Sequence, residues 1–229
     1  MSNFQSNNIL DTITPVTRSL LIINFIVWVG CLLMPRLVVS YFGLHYYMSD
    51  GFNMYQLVTY MFTHVEFSHL FFNMFALFMF GSVLERTWGP KRYLTYYFIT
   101  GIGAGLIQLL VTYIGIQSLL SSIEPTPAEL VFLYNSVPVT IGASGAVFGL
   151  LLAFGMLYPN APLYLMFIPV PIKAKYFVVG YGLIEFFFGV SNRAGDNVAH
   201  FAHLGGMLFG IIMILYWKKK DKNSDYRYF

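Results

Sequence analysis

Charge is what this chain has least of. Asp, Glu, Lys and Arg make up 10% of its 229 residues while hydrophobic residues make up 57%, against about 25% charged in an ordinary soluble domain. Mean hydropathy is +0.65. A chain this apolar is a polytopic membrane protein, with no room for a second soluble domain. Cysteine is scarcer still. Cys31 is the only one, which excludes an intramolecular disulfide and leaves the redox compartment open. The formal net charge of +3 is small, so nucleic acid is not an implied partner. No HExxH helix marks a zinc hydrolase, and no repeat or low-complexity tract appears. The first apolar run follows a polar segment and ends without a small-residue cleavage site, so it reads as a retained helix and not as a cleaved signal peptide.

Six apolar runs are present, near residues 20–34, 69–84, 93–116, 141–158, 176–190 and 198–217. The expected fold is all-α, a six-helix bundle within residues 19–217, between a cytoplasmic N-terminal segment, 1–18, and a basic cytoplasmic tail, 218–229. Arg18, then Arg86, Lys91 and Arg92, then Lys173 and Lys175, then Lys218, Lys219 and Lys220 all fall on one side of such a bundle. The positive-inside rule makes that side cytoplasmic, with both termini on it. The opposite loops contain little basic charge: Arg36, and Arg193 beside Asp196. Residues 35–67, rich in Tyr, Phe and Met, are expected to include segments lying against the outer bilayer surface.

Polar groups inside such runs are costly in hydrocarbon and read as functional candidates. Ser144 opens the fourth run as Gly142-Ala143-Ser144-Gly145, and His203 lies about two turns into the sixth. Both runs carry a GxxxG pair, Gly145 with Gly149 and Gly206 with Gly210, spacing that lets helix backbones approach closely. His203 shares the glycine face of its helix, being three residues before Gly206 and seven before Gly210. From His200 the same positions are the bulky His203 and Met207. His203 is therefore the expected base, and His200 a water-contacting neighbour one turn out. A histidine within about 2.6 to 3.2 Å of a serine hydroxyl can take its proton and create a nucleophile. His69 and Asn73, four apart, share a face of the second run, near His64. No third carboxylate clearly orients the base. Glu185, near the outer end of the fifth run, is the one candidate, and it is expected to snorkel or to pair helices. Glu85 is expected to cap loop backbone or pair with basic neighbours, and Asn24 and Gln108 to hydrogen-bond between helices. A metal held by His64, His69, His200 and His203 would leave Ser144 without a role, so neither metal nor cofactor is expected.

Taken in order, His64-x4-His69-x3-Asn73, Glu85-x3-Gly89, Gly142-Ala143-Ser144-Gly145 and Ala202-His203-x2-Gly206-x3-Gly210 resemble the rhomboid family of intramembrane serine proteases. The resemblance covers essentially the whole chain. It implies a six-helix core in which Ser144 attacks a peptide bond of another membrane protein, His203 serves as base and then acid, and the Ser144 N–H with the His69 and Asn73 side chains receives the oxyanion. Two departures stand out. Many rhomboids have a Trp-Arg pair where this chain has Tyr55-Gln56, and the best-studied bacterial pattern has Tyr where this chain has Phe148, which keeps stacking on His203 and loses a phenolic hydrogen bond.

The leading reading is thus a serine endopeptidase in lipid, acting on transmembrane proteins near the outer end of their spans, in a prokaryotic plasma membrane. A catalytically inert rhomboid-like binding or chaperone protein typically lacks the Ser or the His, and both are here. A His/Glu proton-coupled transporter would be expected to show paired inverted halves or helices broken on both sides. Substrates are expected to enter sideways past the fifth span, under the loop at 191–196, with Phe186, Phe187 and Phe188 as a gate packed against the second span. Oligomeric state has no signature in the sequence.

Overall fold

The computed structural model describes residues 13–165, 168–191 and 198–221. Residues 192–197, which include most of the 191–196 segment invoked above, and the residues beyond 221 lie outside the described residues. Helices dominate: α1 (Pro15–Leu33), α2 (Pro35–Phe42), α3 (Gln56–Thr59), α4 (Phe67–Ala76), α5 (Ser82–Leu120), α6 (Pro127–Asn135), α7 (Ser144–Leu157), α8 (Ala174–Ser191) and α9 (His200–Asp221). A wide π-type turn, Leu77–Gly81, joins α4 to α5. Among the described residues, four helical stretches are long and apolar enough to cross a bilayer: Pro15–Leu33, Phe67–Leu120, Ala174–Ser191 and His200–Asp221. The protein is a polytopic helical membrane protein.

The 54-residue stretch Phe67–Leu120 is not one rod. It breaks at Gly89, whose φ of 77° suits a residue without a side chain, followed by Pro90, which has no N–H to continue the helix. The break falls between the basic residues Arg86 and Lys91. Glu85, just before the break, accepts hydrogen bonds from the Val16 N–H at 3.0 Å, the Thr17 N–H at 2.8 Å and the Thr17 hydroxyl at 2.9 Å. It thereby satisfies the free donors at the start of α1, the capping role anticipated for it. On the same side Arg92 grips Asp221 with two bonds, 2.8 and 2.6 Å, and its guanidinium lies over the Trp217 ring, which ties α5 to the end of α9.

The centre belongs to α7. Ten of its 14 residues are buried, Gly145 through Ala153 without interruption, and it packs against α5, α8 and α9. Its width is matched to glycine. A Cβ on Gly206 of α9 would collide with the Gly145 carbonyl, one on Gly145 with the Ala104 side chain of α5, and one on Gly149 would lie 2.6 Å from Thr100 Cβ. The two GxxxG pairs therefore do not simply face each other. Gly145 and Gly206 touch, whereas Gly149 receives Thr100 and Gly210 receives the Tyr96 phenol, which in turn donates to the Gly149 carbonyl at 2.9 Å. In lipid, where apolar side chains gain little by turning inward, such close backbone approach is what holds helices together. The outward faces are accordingly apolar, with Phe25 and Ile26 on α1 and Leu183 and Phe187 on α8 exposed.

Two features depart from an all-helical reading. Two short strands, β1 (Pro162–Leu165) and β2 (Ile168–Lys173), pair antiparallel, Pro162 with Lys173 and Leu163 with Ile172. The outer loop over 35–66 is also more than a surface segment, since Leu44, Gln56, Tyr60 and His64 are buried. Asn24 is buried, its amide donating to Leu20 O in its own helix at 2.8 Å, with the Tyr97 phenol of α5 beside it.

Candidate active site

Ser144 is the first residue of α7, so its N–H and those of the next residues have no intrahelical acceptor. The segment that delivers it is held from three directions by the outer loop. Leu44 and Thr140 exchange backbone bonds at 2.9 and 3.0 Å, Gly142 N–H donates to Tyr60 O at 2.9 Å, and Ala143 N–H donates to His64 Nε2 at 3.2 Å. Gly142 itself has φ of 113°, and a Cβ there would lie 2.6 Å from His69 Nε2. Only glycine allows that turn and that ring together. His64 is thus a support for the serine loop. Burial, with the adjoining His69 ring adding to it, pushes its imidazole down to about 3, so it stays neutral and able to accept from Ala143.

His203 lies on α9 where the Gly145–Gly206 contact brings α9 against α7. Its Nε2 is 2.8 Å from Ser144 Oγ. Its ring lies parallel to Phe148, centroids 4.2 Å apart and planes 5° apart, and Tyr181 of α8 also stacks on Phe148 with centroids 5.0 Å apart. His69 and Asn73 of α4 line the same cavity as Ser144, His200 and His203, a space of about 1490 Å³ bounded by α4, α5, α7 and α8. Asn73 Nδ2 gives one proton to His69 O at 2.8 Å, which leaves its second N–H available. Such a set brings a hydroxyl into contact with an imidazole and places an amide and a second imidazole on the same cavity.

A model of the Rhomboid domain matches residues 51–220 of the chain. The chain belongs to the rhomboid family. This rhomboid is 31% identical over 155 residues to RHOMBOID-like protein 12, mitochondrial, of Arabidopsis thaliana, covering 67% of this chain and 43% of the relative. It is 32% identical over 172 residues to Rhomboid protein 1, mitochondrial, of Saccharomyces cerevisiae, covering 72% and 42%. It is 30% identical over 165 residues to Rhomboid protease AarA of Providencia stuartii, covering 67% and 52%. The chain spans about half the length, or less, of these relatives.

Within the rhomboid frame, several residues sit differently from expectation. Gln56, at the place of a family Trp-Arg pair, is fully buried and organises the outer loop. Its Oε1 accepts from the His45 and Asn53 N–H groups at 3.3 and 3.1 Å, and its Nε2 donates to Gly51 O at 2.9 Å. A neutral amide suffices because every partner is backbone. Glu185 pairs helices, one of its two expected roles, and does not snorkel. It is only 5% exposed, and its Oε2 lies 2.8 Å from His203 Nδ1 and 2.7 Å from His200 Nδ1. His200, in the first turn of α9 and lining the cavity, is also bound to Glu185 and stacked on Phe188. Gln108 lines the cavity, and its buried carbonyl oxygen has no protein hydrogen-bond partner, so it makes no interhelical bond through that atom. Of the three phenylalanines expected to gate the site, Phe188 lines the cavity, whereas Phe186 and Phe187 are 56% and 60% exposed on the outer face of α8. Successive residues on a helix point about 100° apart, so three in a row cannot share one face.

The ligand atoms of Glu185, His200 and His203 lie within 4.8 Å of one another, a set able to hold a divalent ion. In the structure they are engaged with each other instead, both imidazoles hydrogen-bonded to one carboxylate oxygen. Nothing in the sequence places Glu185 on the base. Its helix is apolar around most of its circumference, so the pattern does not say which face turns inward.

Proposed function

We propose that this chain is an intramembrane serine endopeptidase that cuts other membrane proteins near the outer end of a transmembrane segment. The observation that carries this is the 2.8 Å approach of Ser144 Oγ to His203 Nε2, within the reach a general base needs. Ser144 Oγ attacks the scissile carbonyl carbon as its proton passes to His203 Nε2. The Oγ–C bond forms, the C–N bond breaks, and the same proton goes to the leaving amine. Water then repeats the sequence on the acyl-enzyme. Negative charge on the carbonyl oxygen meets the Ser144 N–H at the positive end of α7, with the His69 and Asn73 side chains as further donors. One such donor is worth roughly 2.7 to 4 kcal/mol.

The length of α7 supports a buried reaction. Its 14 residues rise about 21 Å at 1.5 Å each, short of a hydrocarbon core of about 30 Å. With its inner end near the cytoplasmic interface, Ser144 lies below the outer surface and meets water through the cavity. In this reading residues 19–217 cross the membrane six times, with the basic segments cytoplasmic and the serine end extracytoplasmic. A substrate helix hides its carbonyls in i to i−4 bonds, so substrates carrying Gly or Pro near the cut, and a small residue at it, fit best.

The test is labelling of the detergent-purified protein with a fluorophosphonate, together with cleavage of a reconstituted transmembrane substrate. Ser144→Ala and His203→Ala are expected to abolish both while leaving thermal unfolding within a few degrees of wild type. Cleavage by Ser144→Ala at near the wild-type rate would sink the reading, and a folded wild-type protein that neither labels nor cleaves would favour an inert rhomboid-like binding protein.

A further inference from the structure

A carboxylate in hydrocarbon is expensive unless its lone pairs are taken up. Glu185 stands on α8, whose other buried residues, Ala174 and Val178, lie toward the opposite end of the helix. Its Oε2 receives two donors from α9, the Nδ1–H of His203 at 2.8 Å and of His200 at 2.7 Å. A carboxylate accepts and cannot donate, so these contacts put the His203 proton on Nδ1. The lone pair of Nε2 is then directed at Ser144 Oγ, 2.8 Å away. Phe148 stacked on the ring face prevents it from tilting out of that line.

We propose that Glu185 is a positioning residue for the base, completing a Ser144–His203–Glu185 relay of contacts, and that His200 fills the second lone pair of the same oxygen. Resting on the serine-endopeptidase reading, this adds two effects of the carboxylate. It selects the tautomer of His203 that can accept the serine proton, and its negative charge offsets the imidazolium formed when that proton arrives. The first is set in the resting enzyme, and the second appears only as the serine proton arrives. Neither requires contact between Glu185 and the substrate.

Glu185→Gln separates charge from shape, because the amide oxygen can still accept from Nδ1–H. The measurement is kcat and KM on a transmembrane substrate, per folded molecule, for Glu185→Gln, Glu185→Asp, His200→Ala and Ser144→Ala. The expected result is a kcat loss of about 10²- to 10⁴-fold in Glu185→Gln, the scale seen when a triad carboxylate is neutralised, with KM within about threefold. Glu185→Asp, which keeps the charge, is expected to recover at least about tenfold of that loss. His200→Ala, which leaves the His203 bond intact, is expected to stay within about tenfold of wild type. A Glu185→Gln enzyme with wild-type kcat, one whose defect lies in KM or in folding, or a His200→Ala enzyme as impaired as Glu185→Gln would each overturn the inference. Ser144→Ala keeps the two ideas apart. Activity there sinks the endopeptidase reading, whereas a dead Ser144→Ala beside an active Glu185→Gln sinks the role of Glu185 alone.

Discussion

On one side of the cavity α5, α7 and α9 meet through glycine and tyrosine. Gly206 lies against the Gly145 carbonyl, Thr100 against Gly149, and the Tyr96 and Tyr60 phenols donate to Gly149 O and Gly101 O at 2.9 and 2.6 Å. On the other side α4 and α8 present phenylalanines, with Phe72, Phe75, Phe177 and Phe188 lining the gap. Ten residues of α7 are buried against three of α8. Close backbone packing has few alternative arrangements, whereas bulky side chains over an open space have many. Ser144 and His203 belong to the first wall and Glu185 to the second. Ser144 and His203 thus stand on the less deformable side, and the Glu185 carboxylate reaches His203 from the phenylalanine-lined side.

Gly206→Ala tests the first wall most severely. The added methyl collides with the Gly145 backbone, so α7 and α9 must separate. Overpacking of this kind costs about 1–3 kcal/mol, and displacing reacting groups by about 1 Å costs on the order of 10²-fold in rate. The expected outcome is a lowered unfolding temperature together with loss of most fluorophosphonate labelling. Wild-type labelling in Gly206→Ala would mean that the contact does not set the Ser144–His203 distance.

A milder change tests the second wall. Phe188→Ala opens the cavity between α4 and α8 and is expected to raise the initial rate on a membrane-embedded substrate several-fold, with little change on a short soluble peptide. Phe186→Ala and Phe187→Ala, on the outer face, are expected to leave both rates within about twofold of wild type. Equal effects on the two substrates would argue for entry from above, through the outer loops, and remove the functional contrast between the walls.

The last test concerns the loop that carries Ser144. His64 is neutral when folded, its imidazole pushed from 6.5 down to about 3, so the unfolded chain binds the extra proton between those values. Stability from this group is therefore complete above pH 6.5 and is lost as pH falls toward 3, by on the order of 1 kcal/mol per pH unit. In His64→Gln, whose amide oxygen can still accept from Ala143 N–H, the acid side of the curve of unfolding temperature against pH is expected to flatten by a few degrees. Parallel curves for the two proteins would show that His64 is not held neutral by burial.

Much of the site is legible before any coordinates. Ser144 stands out because a hydroxyl at the head of an apolar run, between glycines, has little other reason to be there. His203 separates from His200 by the glycines three and seven residues on, a helical argument that needs no partner helix. Glu85 at the end of the second apolar run, four residues before Gly89, suggests a cap near a turn. Gln56 and His64 are harder. Their partners are backbone groups at 41–53 and 143, and a side chain that bonds only to backbone leaves no complementary residue type to find.

Composition and spacing alone determine that this chain lives in lipid, that it is helical, and that one serine and one histidine lie on faces able to approach closely. Those properties are local, set by hydropathy and by 3.6-residue periodicity. Tertiary structure decided the rest. Which side of α8 faces inward depends on its rotation against α7 and α9, and that rotation brings the Glu185 carboxylate to the two histidines while turning Phe186 and Phe187 away. A helix apolar around most of its surface carries no record of its rotation, because lipid accepts any apolar face equally and only the packed neighbours distinguish them.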